Sequence, residues 1–200
     1  MNASSLSLLD QEELVRLALD SSKNNDSGST LIYLKEATAR PDALAVAHFL
    51  LGAEYAQLQM YDRAVMAMEA AIGIDPALAI ARFQLGLLLL TCAEPDRASA
   101  VLEGLEPLGE GDALYQFGRG LIHMIRDEFP DALIHLQKGI ELNTANLPLN
   151  GDMQRIIDEI HKLPAEKLQG SEIAAGAVVP GGQHLFLAAY AGNESSNDAS

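Results

Sequence analysis

Small residues return every 34 positions along this chain, and few folds accommodate such a period. Gly52 is followed twelve residues on by Ala64, Gly86 by Ala98, and Gly120 by Ala132. Larger residues keep the same register. The first copy carries Leu51, Tyr55, Met68 and Ala71, the second Leu85, Leu89, Leu102 and Leu105, the third Arg119, His123, Leu136 and Gly139. Read as paired helices, the small residues let two backbones approach where they cross, and the larger ones fill the flanks. Punctuation agrees. Pro95 and Pro130 fall near the start of a second helix, where a missing N–H costs little. Asp75-Pro76 closes the second helix of the first copy. Each pair has an apolar face that it cannot bury alone, so the copies must stack.

These residues resemble the tetratricopeptide repeat (TPR) family, in units at 45–78, 79–112 and 113–146. One period earlier, Ala18, Thr30, Leu34 and Ala37 hold the same positions, which makes 1–44 a degenerate helical pair. The chain departs from the family at Glu110 and Thr144, which stand for the terminal Pro, and at His48, Arg82 and Gln116, which stand for the opening Trp. The resemblance implies an all-α fold: a TPR solenoid of three clear repeats, a degenerate N-terminal pair and a C-terminal capping helix within 147–168. Asp10 with Glu13 reads as a capping box opening the first helix, and a second helix is expected from near Thr30. Met153, Ile156, Ile157 and Ile160 form the apolar face of the capping helix, which Pro164 stops. Residues 169–200 read as a flexible tail around a compact apolar motif at 184–190.

A formal charge of −15 repels nucleic acid and anionic lipid, so neither is expected as a partner. The single Cys92 forms no internal disulfide and suits a reducing compartment. It falls where Leu58 falls one repeat earlier, which predicts a buried packing thiol. The five His residues show no metal spacing and do not cluster along the chain. No phosphate loop or nucleophile–base pair is evident, so no catalytic residue, metal or cofactor is assigned. The first residues lack a basic leader pattern, and the longest apolar run, Leu85 to Leu90, is too short to span a bilayer. A cytoplasmic location is the expectation.

Function then rests on the groove. In TPR arrays the second, fifth, ninth and twelfth positions of each first helix line the concave surface. By that resemblance the groove comprises Val46, Phe49, Ala53 and Ala56, then Ile80, Phe83, Leu87 and Leu90, then Leu114, Phe117, Leu121 and Met124. Phe recurs at the fifth position of all three. In the degenerate pair the same positions hold Glu12, Val15, Leu19 and Ser22, so the apolar stripe fades toward the N-terminus. Two readings stay open: rings facing the hollow, or rings packed between helices. A solvated stripe of this kind implies a partner, because soluble chains rarely leave such patches bare. The expected function is a protein-binding adaptor or chaperone that captures an apolar segment of a client, as a helix or an extended peptide. The groove lacks the cations of a carboxylate clamp. Its greasy character is similar to that of the TPR chaperones of bacterial type III secretion. The alternative is a structural subunit whose groove is permanently covered. The cover would be a partner or the chain's own motif, Leu185, Phe186, Leu187 and Tyr190, which could also join copies into a homo-oligomer.

Overall fold

Helix boundaries keep the period of the sequence. The computed structural model describes residues 6–164. Within them lie α1 (Gln11–Lys23), α2 (Ser27–Thr38), α3 (Ala45–Gln57), α4 (Tyr61–Ile74), α5 (Ala79–Thr91), α6 (Pro95–Glu103), a 3-10 turn (Glu106–Leu108), α7 (Ala113–Ile125), α8 (Phe129–Leu142) and α9 (Leu147–His161). First helices begin at 11, 45, 79 and 113, and second helices at 27, 61, 95 and 129. The N-terminal pair therefore holds the 34-residue step despite its weak sequence match.

One local device recurs at the same interval. Asn25, Gln59, Ala93 and Asp127 each take a left-handed backbone, with φ of 55°, 58°, 59° and 58°. Around each, the first helix closes with two reverse hydrogen bonds. The N–H of Asn25, Gln59, Ala93 and Asp127 donates to the carbonyl of Ser22, Ala56, Leu90 and Met124 at 3.0–3.1 Å. The next N–H, of Asp26, Met60, Glu94 and Glu128, donates to Ser21, Tyr55, Leu89 and His123 at 2.8–3.0 Å. That is a Schellman cap made four times without glycine. It turns the chain into the second helix within a few residues and satisfies carbonyls that would otherwise be orphaned.

Helix starts are capped as the sequence suggests, with one shift. Asp10 Oδ1 accepts from the Glu13 N–H at 2.8 Å, and Glu13 Oε2 accepts from the Asp10 N–H at 2.9 Å, a complete capping box. The helix expected from Thr30 begins earlier, at Ser27, because Asp26 takes the cap and accepts from the Ser29 N–H at 3.0 Å. Asp112 accepts from the Leu114 N–H at 2.7 Å to start α7. Pro95 is the first residue of α6 and Pro130 the second of α8. Where the family's terminal Pro is missing at Thr144, a knot of amides turns the chain instead. Asn143 Nδ2 donates to Asn150 Oδ1 and to the Asn146 carbonyl, both at 2.7 Å, and Asn146 caps α9.

The chain divides inside α5, between Leu88 and Leu89, into two compact units. In the first, α1 packs on α2, α2 on α3 and α3 on α4. Gly52 lets α3 and α4 touch: a Cβ there would lie 2.6 Å from Met68 Cγ and 3.1 Å from the Ala64 carbonyl. Leu6, Leu14, Ala37 and Ala47 form a core at its N-terminal end. Arg40 ties that end down, donating to the Leu9 and Leu6 carbonyls at 2.6 and 2.7 Å while pairing with Glu36 at 3.0 Å.

In the second unit α6 packs on α7, α7 on α8 and α8 on α9. Gly120 plays the part of Gly52, with a Cβ there 2.7 Å from Leu136 Cγ. Met153, Ile156, Ile157 and Ile160 are buried, so α9 presents the dry face read from its spacing. Cys92 departs from expectation. It is half-buried rather than sealed, because its position and that of Leu58 lie at helix C-caps, beyond the packed turns. Among the described residues no helix is long and apolar enough to cross a membrane.

Candidate functional site

Burial sorts the expected groove residues into two groups. Phe83 and Phe117 are both 0% exposed, and Leu87, Leu90, Leu121 and Met124 are buried with them. This corrects the picture of a solvated stripe of three rings. Phe117 lies against α8, where Gly139 leaves out the side chain that would overlap the ring. The fifth position of α7 therefore points between two helices. Val46, Phe49, Ala53, Ile80 and Leu114 remain at least partly accessible, with Val46 37% exposed. The apolar motif at Leu185, Phe186, Leu187 and Tyr190 lies outside the described residues.

In the first unit the accessible residues gather on one side of α3. Val46, Leu50, Ala53 and Gln57 follow one another at three- and four-residue steps, with Phe49 three residues after Val46 and four before Ala53, which places them on one helix face. The C-terminal half of this face walls a cavity of about 90 Å³ that α1 and α2 complete. Its floor is Ala18, Thr30, Leu34 and Glu54, all buried. Leu50 and Ala53 form a half-buried wall, and the exposed Leu19, Ser22 and Gln57 form the mouth. Leu19, 41% exposed, and Ser22 are the two groove positions that the degenerate pair contributes here, beside Ala53 from the next repeat.

Glu54 is the unexpected member. It is 4% exposed, and its Oε1 has no hydrogen-bond partner. Thr30, beside it on the floor, spends its hydroxyl on the Asp26 carbonyl at 2.8 Å. Part of the signal was present in the sequence: the tenth position of the first helix is Leu88 and Ile122 in the following repeats, and both are buried. The degenerate pair has the exposed Asp20 at this position, so burial rather than residue type sets Glu54 apart.

The second unit holds a polar cluster between α7 and α8. His123 and His135 stack face to face, with ring centroids 5.2 Å apart and planes 8° from parallel. This corrects the expectation that the histidines stay apart, since the eleventh and twenty-third positions of a repeat meet across the hairpin. Glu128 Oε2 accepts from His123 Nδ1 at 2.6 Å, and Gln116 Oε1 accepts from His135 Nδ1 at 2.7 Å. Gln116 is held in turn by donating to the Glu110 carbonyl at 2.6 Å. Burial is the main cause that lowers the His135 pKa, followed by the charge of His123. Among the described residues no group of three or more His, Cys, Asp or Glu is arranged to hold a metal ion.

No protein-family model matches the chain, and no curated protein sequence does. Solved structures do. A crystal structure of MamA aligns with a TM-score of 0.57 at 21% identity, covering 66% of this chain and 78% of that one. MamA 41-end from Desulfovibrio magneticus RS-1 gives 0.56 at 21%, covering 78% and 90%. A MamA RS-1 double mutant, ArsTM, gives 0.56 at 18%, covering 92% and 97%. At these identities the likeness is one of fold: all-α and tetratricopeptide-like, the solenoid class of those structures.

Proposed function

We propose that this chain is a protein-binding adaptor or chaperone that captures an apolar segment of a client. The observation that carries the reading is the accessible apolar face of α3, Val46 through Ala53, beside a cavity with an apolar wall and the exposed Leu19. Helices that only needed to stack would gain by sealing these side chains, each worth ~1.5–3 kcal/mol when buried in full. Phe83 and Phe117 have moved into packing and no longer count toward the surface, so capture narrows to the N-terminal unit. A helix or extended strand with spaced anchors suits such a face. The TPR-like fold supports a binding role by analogy of architecture.

Selection of displayed peptides on the full chain tests the reading. Selected segments should carry apolar anchors. Val46→Asp and Phe49→Asp should each weaken their capture about tenfold or more, the cost of setting a carboxylate in an apolar contact. Val46→Asp should leave the melting temperature nearly unchanged, because Val46 is already solvated. Undiminished capture by both variants would remove the α3 face from consideration.

A further inference from the structure

The cavity beside α3 has a chemistry of its own. Ala18, Leu34 and Leu50 line it with alkyl carbon, and its one charged member is Glu54, whose Oε1 lacks a partner. A carboxylate oxygen buried without a donor is costly, and the fold shows that it can be avoided. The matching residues Leu88 and Ile122 fill the same register with buried carbon. Substituting Leu for Glu54 would match the two repeats that follow, whereas Asp20, the matching acid of the N-terminal pair, is exposed to water. A buried acid here calls for a ligand that supplies the missing donor. At the neighbouring residue, Lys35 and Arg63 lie 6.0 and 5.8 Å from the centre of the Tyr55 ring.

We infer that this cavity receives a lysine side chain from the captured segment, with the ammonium on Glu54 and the methylene stem along the alkyl wall. The inference rests on the capture reading and adds the chemistry of one anchor. Three features select lysine. The chain's charge of −15 draws a cation toward it. One orphaned oxygen suits the point charge of an ammonium, whereas a guanidinium fork is matched by two acceptors. The lining mixes the polar Thr30, Glu54 and Gln57 with the carbon of Leu19, Leu34 and Leu50, which suits an amphipathic side chain with an alkyl stem and a charged head.

The test uses the full chain and small probes followed by methyl NMR at low salt. n-Butylammonium should shift the methyl signals of Leu19, Leu34 and Leu50 saturably, and n-butanol and butyrate should not. Capped lysine should bind about tenfold more tightly than capped norleucine, the ratio expected for one hydrogen bond to a charged group. Glu54→Gln and Glu54→Leu should both lose that preference, and Glu54→Leu should melt at a higher temperature than the parent. Butanol binding as well as butylammonium, or a preference that survives both substitutions, would overturn the inference. Capped arginine binding more tightly than lysine would overturn the choice of side chain. A large gain in lysine affinity on removing residues 165–200 would assign the pocket to the chain's own Lys167 and overturn the partner origin. If the probes fail while Val46→Asp still abolishes peptide capture, the lysine pocket falls and the capture face stands.

Discussion

Each first helix ends on a residue forced into a left-handed turn, and the residues there differ in how well they tolerate it. Asn and Asp visit that conformation readily, because their short side chains hydrogen-bond locally, whereas Ala and Gln meet the full clash of Cβ with the backbone. Ala93 and Gln59, with φ of 59° and 58°, are exposed, so a glycine there would forfeit little packing. Ala93→Gly should therefore stabilise the protein by about 0.5–1 kcal/mol, the relief of strain being partly offset by the greater freedom of glycine in the unfolded chain. Gln59→Gly should do the same, and Asn25→Gly should gain less. Urea denaturation of the three variants checks the order. A loss of stability at Ala93 would mean that the turn is not the strained point.

Between elements, the decisive contacts are those where glycine admits a neighbour. Gly139 sits inside α8, where glycine costs ~1 kcal/mol relative to alanine on propensity alone. Its use is the room it gives Phe117, a fully buried ring with no slack. Gly139→Ala should therefore destabilise by on the order of 1–2 kcal/mol, overpacking outweighing the gain in helix propensity. A stabilised variant, by thermal melting, would show that the ring can move aside. This pair also shows what the sequence disclosed and what it withheld. The repeat register, the caps at Asp10 and the prolines, and the small-residue crossings at Gly52 and Gly120 were all legible, because each follows from local spacing. The direction of the Phe stripe was not. Recurrence at the fifth position fixes a period, but not whether the opposing helix leaves a hole. For Phe117 the hole is a glycine twenty-two residues away, and pairing the two would have revealed it. Glu54 was legible only in part: its column runs Asp20, Glu54, Leu88 and Ile122, and burial alone separates Glu54 from the exposed Asp20.

For the molecule as a whole, acid is the condition to which these features respond together. Half-buried His48 and His135 both have pKa values below the ordinary 6.5. At His48 burial disfavours the charged ring. At His135 burial acts first, then His123 and Arg119, with Asp131 opposing and Lys138 adding. A group with a depressed folded value binds fewer protons folded than unfolded, so stability rises with pH through the window below 6.5 and is level above it. Acidification from about pH 7.5 to about pH 5.5 should accordingly destabilise the protein through these two rings. Net charge pulls the other way: each proton bound relieves the self-repulsion of a chain at −15. Variants separate the two effects. His48→Gln with His135→Gln should remove the histidine-driven loss and leave the charge effect, so the double variant should hold or gain stability where the parent declines. The rings lie in different units, His48 in residues 1–88 and His135 in residues 89–200. Should the units melt separately, each single substitution should shift the acid response of its own transition and spare the other. Denaturation curves of parent and double variant that stay parallel across this range would show that neither histidine governs the response.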